Sequence, residues 1–167
     1  MSEYFVSPRA TASTFEPTVV ALVANTTKTV IQVATPSTTD IRIMGWGVSF
    51  DGASGTAIPV ICQLLQGDVA ATVTAFTPEL WGHDLAPASL CVGGSAATGV
   101  NASVEGTMTA VRAFDSQHVH PQAGYGIFWA SEIHQPRVPP SRFVRIRCRA
   151  QAAVNVIPWV LWAEPAL

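Results

Sequence analysis

Much of this chain is written in two-residue alternation. The clearest stretch is RFVRIRCRA (142–150), where Val144, Ile146, Cys148 and Ala150 fall on one side and Arg145, Arg147 and Arg149 on the other. Successive side chains of a strand point to opposite faces, so this period predicts a β-strand with one buried face. DIRIMGWGVSF (40–50) alternates too, with Ile41, Ile43 and Gly45 set against Arg42, Met44 and Trp46. The glycines on either side of Trp46 predict a bulge or a close backbone approach there. KTVIQVAT (28–35) sets Val30, Gln32 and Ala34 against Thr29, Ile31 and Val33. TVVALVA (18–24), IPVICQLLQ (58–66) and VAATVTAF (69–76) read as further strands. Gly67-Asp68 between the last two predicts a hairpin.

The pattern then breaks. From 77 to 101 two prolines and several glycines leave no clean period, and a loop of that length is usually a functional or interface segment, with room for a short helix at 79–83. Alternation resumes in SVEGTMTAVRAF (103–114), with shorter strands at QHVHP (117–121) and YGIFWA (125–130). HQPRVPPS (134–141) is a loop stiffened by proline. NVIPWVLWAE (155–164) closes the series, and Pro158 within it predicts an edge position or a bulge. Short strands at regular spacing, with no 3.6-residue apolar period and no internal repeat, predict an all-β chain. The expected architecture is a single-domain antiparallel β-sandwich or jelly roll of about eight to ten strands over 18–167. Residues 1–17, rich in Ser, Thr, Ala and Pro, read as an extended N-terminal arm. Tyr4, Phe5 and Phe15 make that arm too apolar for a solvated tail, so it is expected to lie on its own domain or on a neighbouring subunit.

Composition changes the picture in one respect. Hydrophobic residues make up 49% of the chain and charged residues 12%, against about 25% charged in an average soluble domain. A surface so short of charge predicts extensive contact with other subunits. The net charge of -2 points away from nucleic acid. No apolar run reaches the length of a membrane-spanning helix, and MSEYFVSPRA has no signal-peptide pattern. Cys62, Cys91 and Cys148 form no C-x-x-C pair, and free thiols in apolar strands fit a reducing compartment.

Catalytic chemistry finds little support. His118-x-His120 with Asp115, Glu132 and His134 half-meets the cupin pattern for a divalent metal, but the carboxylate and third histidine fall at the wrong spacing. There is no G-x-S-x-G elbow, no activated cysteine and no phosphate loop at Gly93-Gly94-Ser95. The expectation is no enzyme, no metal and no cofactor.

Interface chemistry is better represented. Arg142, Arg145, Arg147 and Arg149 predict a basic stripe on one sheet face, either simply solvated or paired with carboxylates of a partner. Trp81 stands in the irregular loop, suited to a subunit contact or, less readily, to stacking on a sugar. The expected interface set is Tyr4, Phe5, Phe15, Trp81, Arg142, Arg145, Arg147 and Arg149.

The stretch TTKTVIQVATPSTTDIRIMGWGVSFDG (26–52), His120-Pro121, and QAAVNVIPWVLWAE (151–164) resemble small virion structural proteins of tailed phages, especially phages of actinobacteria. The resemblance implies a β-sandwich that binds the exterior of the capsid as a decoration or cement protein, often as a trimer. Its partners would be the major capsid protein and further copies of itself, and its location the capsid surface of a particle made in the host cytoplasm. The alternative is a carbohydrate-binding jelly roll of a tail or receptor-binding protein.

Overall fold

In the computed structural model the described residues are 2–8, 17–52, 58–81 and 88–165. Among them the chain is all strand and connection, with thirteen strands and no helix. They are β1 (Ser2–Val6), β2 (Val20–Leu22), β3 (Thr27–Ala34), β4 (Ile41–Phe50), β5 (Val60–Gly67), β6 (Thr72–Ala75) and β7 (Glu79–Leu80). There follow β8 (Gly99–Val104), β9 (Val111–Val119), β10 (Gly124–Phe128), β11 (Arg137–Val138), β12 (Phe143–Arg149) and β13 (Val154–Glu164).

Two antiparallel sheets form a sandwich. The first runs β10-β4-β13-β1-β7, with β11 added to β4 and β2 to β13. The second runs β6-β8-β3-β12-β5-β9. The connections β3–β4, β4–β5, β9–β10 and β12–β13 all cross between the sheets. The predicted alternation of β12 and β13 builds the interior: Val144, Ile146 and Cys148 from one sheet meet Val156, Val160 and Trp162 from the other in one core.

Two bulges correct the simple alternation. In β4, Leu161 and Trp162 of β13 stand opposite Gly45 and Ile43, so Met44 is the extra residue. The parity flips there, and Trp46 turns inward with Ile41 and Ile43 instead of away from them. In β3, Ile146 and Arg147 stand opposite Ile31 and Thr29, which skips Val30 and buries both faces of the strand from Thr29 to Val33.

Four expectations fail in detail. The segment 69–76 makes no hairpin with β5: β5 pairs with β12 and β9, and β6 pairs with β8. A turn signal such as Gly67-Asp68 reverses the chain without choosing its partner. The single strand expected over 103–114 is two strands, β8 and β9, parted where Gly106 takes a φ of 65°. The irregular segment holds β7 at its start instead of a helix, and 82–83 lie outside the described residues. Pro158 is on neither an edge nor a bulge but in the central strand β13, opposite Val48. It sits between the stretch of β13 paired with β2 and the stretch paired with β1, and its carbonyl accepts a bond from Ser7 Oγ at 3.1 Å. Nitrogen and carbonyl of one strand residue point the same way, so the missing N–H faces that gap and the ladder to β4 is undisturbed.

Of the expected N-terminal arm, Ser2–Val6 is drawn into the fold, and 9–16 lie outside the described residues. β1 pairs along Val160–Glu164 of β13, burying Tyr4 and Val6 in the common core.

Candidate interaction surface

The outer face of the first sheet carries an aromatic groove. Along β13 the residues facing away from the core include Trp159 and Leu161. Across the sheet, Gly47 of β4 stands opposite Trp159, and Gly126 of β10 stands opposite Gly47. The Trp159 ring fills the space above both glycines: a β-carbon at Gly47 would collide with it, and one at Gly126 would press tightly against it. Phe128 lies in the same way over Gly45 and stacks on Trp159, with centroids 4.8 Å apart and planes at 25°. On the other side Phe5 of β1 meets Trp81, with centroids 5.1 Å apart. Trp81 is fixed by its backbone N–H, which donates to the Glu3 carbonyl at 2.8 Å.

Phe5, Trp81, Phe128, Trp159 and Leu161 line a cavity of about 320 Å³ with an almost wholly apolar wall. Trp81 is 51% exposed and Phe128 61%. A partly exposed cluster of large aromatics with an almost wholly apolar accessible wall is the usual composition of the buried centre of a protein–protein contact.

Of the residues expected at an interface, the groove collects Phe5 and Trp81. Tyr4 is 2% exposed and points from the same strand into the core, so it is withdrawn. Phe15 lies outside the described residues. Phe128, Trp159 and Leu161 belong to the groove and were not singled out from the sequence. The signal was present in β13, whose alternation leaves Trp159 and Leu161 opposite the core-facing Val160 and Trp162. It was present also in the glycines of GWG and YGIF, which leave room for rings.

The arginines of β12 require a second correction. Arg145 is wholly buried. Its Nη1 donates to the Glu105 carbonyl at 2.8 Å and its Nη2 donates to the Val69 carbonyl. Glu105 Oε2 lies 3.9 Å from Arg145 Nη1 and 3.6 Å from Arg147 Nε. The same carboxylate accepts from Thr29 N at 2.5 Å and from Thr29 Oγ1 at 2.7 Å. Gln32 does similar work one strand away, accepting from Ala71 N and donating to Ala97 O, each at 2.7 Å. The segments after β5, before β8 and after β8 are thus fastened over the polar face of the second sheet. Burial lowers the pKa of Arg145, and Glu105 opposes that shift. The expected stripe is therefore graded: Arg145 is sealed, Arg142 and Arg147 are half-buried, and Arg149 alone of the four is exposed.

The residues considered for a metal are dispersed. Asp115 reaches from β9 across the sandwich, accepting from Trp46 Nε1 at 3.1 Å, Tyr125 Oη at 2.7 Å and Gln117 Nε2 at 2.8 Å. Glu132 pairs with Arg42, and His120 Nδ1 accepts from the Gln122 N–H at 3.2 Å. Among the described residues no three His, Cys, Asp or Glu side chains converge as a metal would require. A buried carboxylate, Glu164, accepts from Ser89 Oγ at 2.5 Å, Leu90 N at 2.8 Å and Trp162 Nε1 at 3.0 Å. It pins the segment before β8 to the end of β13, and burial followed by this charge pushes the neighbouring Cys91 thiol well above its ordinary range. A thiol held protonated in this way is a poor nucleophile.

No protein-family model, no curated protein and no solved structure matches this chain.

Proposed function

We propose that this chain is a structural protein of a tailed-phage particle, a decoration or cement protein that binds the outside of the head and bridges capsomers. The observation that carries the reading is the apolar groove of Phe5, Trp81, Phe128, Trp159 and Leu161 on the outer face of the first sheet. The shortage of charge, 12% of residues, supports it, as does the resemblance of 26–52 and 151–164 to virion proteins. An aliphatic or aromatic side chain of the major capsid protein seated in the groove would gain about 1.5–3 kcal/mol from burial. Repeated at every site, preferably by a homotrimer, such contacts stabilise the assembled shell because the protein binds that state and not the separated subunits. The direct test is composition: purified particles should contain the chain in many copies, and its absence from them would end the proposal.

A second reading, a carbohydrate-binding module, is favoured by the half-exposed Trp81 ring. It predicts that glycans quench tryptophan fluorescence, and a glycan array without hits would count against it. The groove's scarcity of accessible polar surface favours the protein partner, since sugar hydroxyls buried there would lose most of their hydrogen bonds.

A further inference from the structure

Cys62 of β5 and Cys148 of β12 stand directly opposite each other in the antiparallel register. Both are wholly buried, and their sulfurs are 3.8 Å apart. Directly opposed residues of an antiparallel pair hold their β-carbons roughly 4.5–5.5 Å apart, close to the spacing a disulfide spans. Bonding therefore asks for side-chain rotation and a small approach of two strands, with no rearrangement of the sheet. The third cysteine is engaged elsewhere: Cys91 sits beside Glu164, and its N–H donates to Ser89 Oγ at 3.0 Å.

We propose that Cys62 and Cys148 are a disulfide-forming pair, a cross-strand tie between β5 and β12 made when the chain folds in the presence of a disulfide oxidant such as oxidised glutathione. One cysteine thiolate attacks the oxidant, forming a mixed disulfide and releasing one glutathione thiolate. The second cysteine thiolate then attacks the protein-side sulfur, forming the Cys62–Cys148 bond and releasing the second glutathione. The two protons lost by the cysteines end on the two glutathione thiols, so two protein thiols are oxidised and one glutathione disulfide is reduced.

The surroundings set the timing. The adjacent Cys62 thiol and burial hold Cys148 well above the usual thiol range, and neither sulfur is open to solvent in the folded chain. The bond forms during folding or transient opening and is slow in the native state. Once formed, it joins positions 86 residues apart, which strongly restricts the unfolded chain. None of this depends on the reading of function given above.

The test uses the full chain, denatured and reduced, then refolded with either reduced or oxidised glutathione. Thiols are then alkylated in denaturant and the intact mass and peptide map recorded. After oxidative refolding, one of the three cysteines should remain alkylatable, it should be Cys91, and a peptide linking Cys62 to Cys148 should appear. The linked chain should melt at least about 5 °C above the reduced one. Native protein given the same oxidant should react at least about tenfold more slowly than unfolded chain. Three alkylatable thiols after oxidative refolding would overturn the proposal, as would a link involving Cys91 or a linked chain that melts below the reduced one.

Discussion

The indole of Trp159 rests on Gly47, in the space that a β-carbon at that position would occupy. The sheet is thin at this point because the sequence leaves it bare, and the ring can therefore lie flat as one wall of the groove. Gly47→Val restores the missing bulk against both the ring and the Tyr125 carbonyl. Overpacking of this kind costs about 1–3 kcal/mol. Urea denaturation should show that loss, and the variant should also fail to bind particles.

Trp81→Ala and Phe128→Ser act on the exposed rim of the same groove. Neither ring belongs to the main core, so folding stability should stay within about 0.5 kcal/mol of wild type. Binding to stripped particles should weaken at least about tenfold, as for a central aromatic anchor. Unchanged binding by both variants would remove the groove from the interface.

Arg145→Leu and Arg149→Ala separate the two meanings of the arginine ladder. Removing Arg145 strands the Glu105 and Val69 carbonyls and takes a cation from beside the Glu105 carboxylate. Glu105 keeps Arg147 and Thr29, so the main loss is the two unpaired carbonyls, and leaving a buried acceptor unpaired costs about 1–3 kcal/mol. Arg149 is exposed, and its loss should change stability by no more than about 0.5 kcal/mol. Equal effects in thermal denaturation would contradict the graded burial.

Asp68 gives an acid limb to stability. Thr109 Oγ1 donates to its carboxylate, as do backbone N–H groups that include Thr109's, and together they lower its pKa from 3.8 to about 2. The contribution of this group is complete above its ordinary pKa and fades as pH falls through the folded value. Asp68→Asn should therefore flatten the dependence of the urea midpoint on pH between roughly pH 4 and pH 2. Parallel curves for the two proteins would exclude this carboxylate as a source.

The chain has two tyrosines, and both are shifted upward. Burial, then the hydrogen bond to Asp115, raises Tyr125 from 10.0 to about 12, while burial is the main cause at Tyr4. A folded chain that keeps these protons loses stability as pH climbs from roughly 10 toward 12. Ultraviolet titration of the native protein should show no tyrosinate forming at the ordinary pKa, and Tyr125→Phe should remove one of the two late transitions.

The strands were legible because burial on one face writes itself locally as a two-residue period, as in Val144, Ile146 and Cys148. What the period lacks is pairing. Gly67-Asp68 announced a turn, but whether β6 would lie beside β5 or β8 depended on contacts far along the chain. The fate of Arg145 had the same cause, since the segments that cover it contain Val69 and Glu105, far from it in sequence. The groove was half visible: Phe5 and Trp81 stood out as apolar residues in polar or irregular stretches. For Trp159 the alternation of β13 and the glycines of GWG and YGIF carried a signal, but which face of β13 would meet the second sheet depended on pairings far along the chain.

β13 is the spine of the first sheet, with β4 along one flank and β1 and β2 sharing the other. It is also the last described strand to leave the ribosome. During translation the β13-facing edges of β1 and β4 therefore wait with unpaired backbone N–H and C=O groups, and the sheet closes only after residues 154–164 emerge. Such late, long-range closure predicts slow folding, with most of the hazard of mispairing concentrated before that strand arrives.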